Sequence, residues 1–305
     1  MDKDRAASIL PWLPTGAEML LDDLIAELSL LGDVAPIETH ANASLADVVI
    51  DDVVHDSRTV APGAMFCAVP GLTVDGHDYL GNVRSQGAPA ALVERFVELD
   101  ETHQLPQMRV GSVRRSMAHA AAIVHGHPSN DLAVVGITGT NGKTTTTQLL
   151  ASIMAAAGRS CAVIGTLDGV HTTPESTDLQ RQLRELVDAD FQVVALEVSS
   201  HALDQGRVDA TSFAVAAFSN LTPDHLDYHK DMDDYFEAKA RLFDGRAAIE
   251  LINVDDPWGQ KLAARRPKAQ PVTMASVKIG AERVCLLYTS PSPRDATLSR
   301  MPSSA

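Results

Sequence analysis

A lysine followed by four threonines, Lys143 through Thr147, closes a glycine-containing turn in the stretch VVGITGTNGKTTTTQLL (134–150). An apolar strand that feeds such a turn and then a helix leaves backbone N–H groups free for an anion, reinforced by the helix N-terminus. In that geometry Lys143 sits against the β- and γ-phosphates of a nucleotide, and the Thr144 hydroxyl ligates Mg²⁺. The strict G-x-x-x-x-G-K-[ST] spacing is not met, because Ile137 stands where its first glycine would be; Gly136, Gly139 and Gly142 flank the turn instead.

Further along, the apolar stretch FQVVALEV (191–198) carries a carboxylate, Glu197, near its end. Beside a phosphate-binding turn this is how a parallel sheet delivers an acid to the metal; alone, a strand-end glutamate is a solvated edge residue. SNLTPDHLDYH (219–229) follows the next strand and emerges at the same sheet edge, where open α/β sheets bind ligands. His225 and His229, four apart, fit one helix face as a metal-ligand pair does; His225 fits an ordinary polar histidine near a helix start as well, and His229 fits that role better. Lys239, in YFEAKARLF, reads from sequence alone as a solvated helix lysine. In VVHDSRTVAPGAMFCAVPGLTVDGHDYL (53–80), Arg58 is a candidate for anion contact through its planar guanidinium, while Gly63, Gly71 and Gly76 read as turn residues.

These residues need a scaffold, and the pattern around them implies an α/β chain with two domains. Residues 1–128 read as a small mixed α/β domain: apolar strands such as DVVIDDVV and AMFCAV alternate with turn-rich pieces, and a helix spans 114–125. GHPSND then marks a boundary. From Asp131 a strand–helix alternation favours a mainly parallel sheet, so 129–283 reads as a nucleotide-binding domain. Its expected strands are LAVVGIT, CAVIG, FQVVALEV, FAVAAF (213–218) and ELINV (250–254). A helix over 143–157 ends at Gly158, Thr177 with Gln180 predicts a capping box opening the next helix, and helical periodicity covers 232–243. Residues 284–305, rich in Ser, Pro and Thr, read as a disordered tail unrelated to the rest.

The bulk numbers bound the function. A chain of 305 residues, 45% hydrophobic and 21% charged, buries an ordinary core, and its net charge of −15 argues against a nucleic-acid binder. No stretch approaches the ~20 apolar residues that cross a bilayer, and the N-terminus carries no signal-peptide pattern, so the cytoplasm is the expected compartment. Cys67, Cys161 and Cys285 form no metal-type spacing; Cys67 and Cys161 lie in apolar runs as small buried hydrophobes.

Taken together, GITGTNGKTTTTQLL, DSR…DGHDY, EVSSHALDQGRV, SNLTPDHLDYH and EAKARLF resemble the Mur ligases, the ATP-dependent amide ligases of peptidoglycan synthesis, over about residues 20–280. Within that family the set is similar to the branch that adds the third stem-peptide residue, a diamino acid (meso-diaminopimelate or L-lysine), to UDP-N-acetylmuramoyl-L-alanyl-D-glutamate through an acyl phosphate. The resemblance implies ATP held by Gly139, Thr140, Asn141, Gly142, Lys143, Thr144 and Thr145, and Mg²⁺ held by Thr144, Glu197, His225 and a carbamate formed on Lys239. It implies muramoyl-dipeptide contacts at Thr172, Thr173, Ser199, Gln205 and Arg207, and a uridine-side pocket at His55, Ser57 and the 72–74 loop. His171 stands where the family often has asparagine. The family continues into a third, amino-acid-selecting domain with no counterpart here, so the expectation is a truncated product with weak nucleotide binding and no ligase turnover. A regulatory P-loop NTPase and a non-catalytic nucleotide-binding fragment are the alternatives.

Overall fold

The computed structural model describes residues 19–31, 38–40, 45–71, 74–100, 104–167, 171–273, 278–279 and 282–283; the expected tail at 284–305 lies outside the described residues. The chain opens with β1 (Met19–Leu20), α1 (Leu21–Ser29), β2 (Glu38–His40), β3 (Val49–Ile50), β4 (Asp52–Val54) and β5 (Ala64–Cys67). It continues through α2 (Leu80–Ser85), β6 (Ala91–Val93), β7 (Gln107–Arg109) and α3 (Val113–Val124). Five of these strands form one sheet in the order β2-β7-β6-β5-β4, parallel from β4 to β7 with β2 antiparallel at the edge.

Strand alternation covers both faces of that sheet. Val53, Met65, Cys67, Leu92 and Met108 meet α1 and α3, whereas Val54, Phe66, Ala91 and Val93 meet Leu80 and Val83 of α2. Burial pushes the Cys67 thiol far up, the behaviour of a packed hydrophobe. The single strand expected over DVVIDDVV is two. Val49–Ile50 pairs antiparallel with β1, the Asp51 N–H donates to Gly63 O at 3.0 Å, and Asp52–Val54 then joins β5 in parallel.

The second half runs β8 (Ala133–Thr138), α4 (Lys143–Ala156), β9 (Cys161–Ile164), α5 (Ser176–Asp188), β10 (Val193–Glu197) and α6 (Ser200–Asp204). After these come β11 (Phe213–Phe218), α7 (Met232–Ala240), β12 (Ala247–Asn253), α8 (Pro257–Arg265) and β13 (Gln270–Val272). The six strands form a wholly parallel sheet ordered β13-β12-β11-β8-β10-β9. The order reverses at β8, so the turns after β8, β10 and β11 share one crevice. Helices α5 to α8 cover one face over a core containing Val134, Leu183, Leu196, Phe218, Phe236 and Ile252. On the other face α4 lies against β8, β9 and β10, with Thr147 its buried residue; Leu149 is 52% exposed and Ile153 63%.

The two sheets meet where α3 packs on α5. Arg181 of α5 reaches Asp52 (2.9 Å) and the Ser212 N–H donates to Ser129 Oγ (3.0 Å). The predicted capping box is not formed: α5 starts at Ser176 with Glu175 as N-cap and no side-chain cap bond. Thr177 lies inside the first turn, where its hydroxyl meets His55 Nδ1 at 2.9 Å, and the Gln180 amide donates to Thr211 Oγ1 at 3.2 Å. Partners across the seam and beneath the helix thus take the groups that a local cap would have used.

Leu196→Ala, in the fully buried strand β10, is expected to lower unfolding free energy by about 2–5 kcal/mol. Leu149→Ala, on exposed α4, is expected to stay within about 0.5 kcal/mol. Urea titration of both variants checks the pair.

Candidate active site

The glycine turn forms because two glycines take conformations closed to other residues. Gly139 has φ +147°, and a Cβ there would lie 1.9 Å from Ser219 Oγ. Gly142, the N-cap of α4, has φ +88°. Helix α4 therefore starts at Lys143, with no acidic residue in its first turn, leaving first-turn amides for an anion.

Three residues just after β11, at the start of the 219–229 segment whose bracing role the sequence reading did not foresee, hold this turn: Ser219, Asn220 and Thr222. The Asn220 side chain accepts from the Asn141 N–H (3.0 Å) and donates to Asn141 O (3.1 Å), while its carbonyl accepts from the Thr140 N–H (2.9 Å). Ser219 Oγ donates to Asn141 O (2.8 Å), and the Thr222 N–H donates to Thr140 Oγ1 (3.0 Å). That segment is held in turn by Asn253, whose amide donates to Ser219 O, and by Asp256, which accepts from the Leu221 N–H. The only sequence signal was position: polar residues directly after an apolar strand.

Two lysines converge on one acceptor. Lys143 Nζ donates to Gly139 O (2.9 Å) and Thr140 O (3.0 Å), and Lys239 Nζ donates to the same Gly139 O (3.0 Å). Lys239 is only 1% exposed and lies over the Tyr235 ring. Burial first, then the charge of Lys143, drives its pKa far below the ordinary lysine value. A helix lysine read from sequence as solvated is thus a buried amine.

Thr144 and Glu197 also meet. Thr144 Oγ1 donates to Glu197 Oε2 at 3.0 Å, Thr166 donates to the same carboxylate through its N–H and hydroxyl (both 3.2 Å), and Glu197 is 1% exposed. A Cβ on Gly165 would sit 2.2 Å from Glu197 Oε1, so glycine there makes room for the carboxylate. The same residue's backbone carbonyl accepts from Thr173 Oγ1 at 2.8 Å, and the Ser199 N–H donates to that hydroxyl. Hydroxyl and carboxylate oxygens side by side are hard donors of the kind Mg²⁺ takes. Among the described residues no three His, Cys, Asp or Glu side chains form a metal-holding group, so such an ion would draw its remaining ligands from phosphate, water or a modified lysine.

His225 and His229 do not share a helix face. Residues 219–231 are a turn-rich loop and His225 has φ +52°. His229 is buried between Ser200 Oγ (3.0 Å) and Asp234 Oδ2 (3.3 Å), a structural role. His225 lies half-exposed, edge-on to His201 and Tyr235, and makes no hydrogen bond to Glu197. It is tied to the turn through Tyr235, whose hydroxyl meets Thr140 Oγ1 at 3.2 Å.

The expected acid-substrate residues line up along the seam. Thr172 Oγ1 is 3.1 Å from Thr166 Oγ1, and Ser199 Oγ accepts from the Ala202 N–H. Arg207 is nearly buried. It donates to Thr173 O (2.8 Å) and Gln205 Oε1 (2.8 Å), and pairs with Glu175 (2.8 Å), a partner that sequence reading missed. On the first-sheet side, His55 bonds Thr177 and Ser57 lies half-buried in the next turn. Arg58 is committed to Asp56, whose carboxyl its hydrogen bonds hold down to about 2. His171 is exposed, and residues 72 and 73 lie outside the described residues.

Among known proteins, the Mur ligase family catalytic domain matches residues 49–131 and the Mur ligase middle domain matches residues 137–289. A UDP-N-acetylmuramoyl-L-alanyl-D-glutamate–2,6-diaminopimelate ligase of Geobacter metallireducens is 46% identical over 265 residues, covering 81% of this chain and 51% of that one. The protein of the same name from Pseudomonas syringae pv. tomato is 39% identical over 251 residues, covering 78% and 51%. A solved structure of that name superposes with a TM-score of 0.66 at 26% identity, over 79% of this chain and 51% of the other. The MurF ligase of Thermotoga maritima, solved in complex with ADP, shares the fold at a TM-score of 0.54 and 21% identity, over 74% and 51%. No helix among the described residues is long and apolar enough to cross a membrane.

A lysine with a depressed folded pKa is destabilising wherever the unfolded chain carries the proton. Above about pH 10.4 the amine is neutral in both states, and as pH falls below that value the unfolded state gains protons first, so stability drops. Lys239→Met is therefore expected to flatten the decline in stability between about pH 10.4 and 8. Thermal melts of both proteins across that range check it.

Proposed function

The chain belongs to the Mur ligase family and spans about half the length of the curated relatives it matches, and from that premise we propose that it serves ATP-dependent amide formation in peptidoglycan synthesis. The acceptor is UDP-N-acetylmuramoyl-L-alanyl-D-glutamate, and the residue added is a diamino acid, meso-diaminopimelate rather than L-lysine, in keeping with the names of the relatives. The cytoplasm is the compartment where such a soluble nucleotide and ATP meet.

The observation that carries this reading is the convergence of Lys143, Lys239 and the Thr144–Glu197 pair around one glycine turn. In the reaction, the free carboxylate of the D-glutamyl residue takes the γ-phosphoryl group, giving an acyl phosphate and ADP. The amine of the diamino acid then attacks the acyl carbon, phosphate leaves, and loss of a proton leaves the amide. The protein supplies no nucleophile: Lys143 and the first-turn amides of α4 offset negative charge as it builds on the phosphoryl oxygens. Mg²⁺, for which Thr144, Glu197 and His225 are the proposed ligands, would supply positive charge that screens the same oxygens. Burial lowers the Lys239 pKa and so favours its neutral amine, whose lone pair is what uptake of CO₂ as a carbamate needs; that step turns a cation into an oxygen ligand. Arg207, Gln205, Thr172, Thr173 and Ser199 hold the muramoyl dipeptide, and His55 and Ser57 the uridine side.

Calorimetric titration with Mg²⁺ and a non-hydrolysable ATP analogue, then with UDP-muramoyl dipeptide, tests the division of labour. Lys143→Ala is expected to weaken the ATP analogue at least tenfold and change the muramoyl ligand less than twofold, and Arg207→Ala to do the reverse. Failure of the unaltered chain to bind the muramoyl nucleotide overturns the substrate assignment, and an unchanged ATP affinity in Lys143→Ala overturns the role of the turn.

A further inference from the structure

A cavity of about 410 Å³ opens at the seam between the two sheets, and no residue of the glycine turn lines it. One wall is the start of α3, with Arg114 and Arg115; the other carries Asp204 and Gln205 at the end of α6, and Arg241 and Arg246 beyond α7. Four guanidinium groups face three carboxylates, the other two being Asp209 and Asp244.

How those charges are spent decides what the cavity can hold. Arg246 is used up: Nε and Nη2 donate to Asp244, and Nη1 donates to Val208 O and lies 3.7 Å from Asp209. Among the described residues Arg241 makes its hydrogen bonds and its ion pair through Nη1, with Leu203 O, Asp204 O and Asp204 Oδ1 (3.0 Å). Tyr228 saturates Asp204 further by donating to Oδ2. Arg114 reaches Glu175 only at 3.5 Å, and Arg115, exposed, makes no ion pair among the described residues. The carboxylates are thus neutralised by Arg241 and Arg246, while Arg114, Arg115 and the free edge of Arg241 keep unused N–H groups on opposing walls. The start of α3, with no acidic residue in its first turn, adds positive potential on the same side.

We infer that this seam cavity binds a small anion bearing phosphate or carboxylate groups, bridging Arg114 and Arg115 of α3 to Arg241. Guanidinium forks match the paired oxygens of both groups, and the volume falls among those of small-molecule sites, roughly 300–1,000 Å³. Two sources share this chemistry. Gln205 lines the cavity and its Oε1 also accepts from Arg207, so an outlying acidic group of the muramoyl nucleotide reaches it if the proposed function holds. The other source is a separate phosphate-bearing molecule.

Pyrophosphate, titrated calorimetrically at constant ionic strength, is the probe, and a Lys143→Ala background removes its binding at the glycine turn. Saturable binding is expected to survive in that background and to weaken at least tenfold when Arg115→Ala or Arg241→Ala is added, with the ligand-free Tm unchanged by Arg115→Ala. Arg159→Ala, which does not line the cavity, is expected to have no effect. Loss of binding with Lys143→Ala alone, indifference to both arginine substitutions, or an equal response to sodium chloride overturns the site. Displacement of pyrophosphate by UDP-muramoyl dipeptide assigns the cavity to that nucleotide; binding of both together assigns it to a separate anion. A chain that binds pyrophosphate here but never the muramoyl nucleotide refutes the proposed function and leaves the cavity standing.

Discussion

The carbonyl oxygen of Gly139 accepts hydrogen bonds from two lysine side chains at once, and two cations cannot share an acceptor in a dry site without cost. One of them is half in solvent at the mouth of a helix; the other is sealed under the Tyr235 ring. The sealed one has its pKa driven well below the ordinary lysine value, because desolvation and its neighbour act in the same direction. The arrangement exists only while the turn stays tight, and tightness is supplied from outside it. Asn253 and Asp256 hold residues 219–221, those residues hold Thr140 and Asn141, and the glycine at 139 lets the two segments touch. The chemistry of one lysine is therefore set by a ladder of amide contacts that begins at α8.

Helix α5 is the other organising element. Its N-terminal turn contributes Thr177 to His55, its N-cap Glu175 faces Arg114 and Arg207, and Arg181 reaches Asp52. A helix normally satisfies its first turn locally. Here those groups are used to join the two sheets, which ties Arg207, expected to hold the acid substrate, and His55, expected at its uridine, to one helix.

Much of the scaffold was legible because burial imposes period. FAVAAF is β11 to the residue, α4 begins at Lys143 as the turn requires, and α3 and α7 fall where the apolar spacing placed them. The errors have one cause. Thr177 and Gln180 carry the same local signal whether they cap a helix or bond across the seam, and His225 and His229 sit four apart in a loop as they would in a helix. In each case a partner distant in the chain decided. The same holds for what was missed: Asn220 against Asn141, Thr166 against Glu197, and arginines at 114, 115 and 241 brought to one cavity have no sequence neighbourhood in common. Lys239 became noticeable only through family likeness, since its burial is a property of the folded loop above it.

Glu197 is gripped at both ends, its carboxylate by Thr144 and Thr166 and its main-chain oxygen by Thr173, next to Ser199. Any occupant that stiffens one grip spares an occupant of the other some of the ordering entropy it would otherwise lose. Thermodynamic reciprocity then requires that the two occupants raise each other's affinity by the same factor, so a single glutamate would make each site a reporter of the other's occupancy.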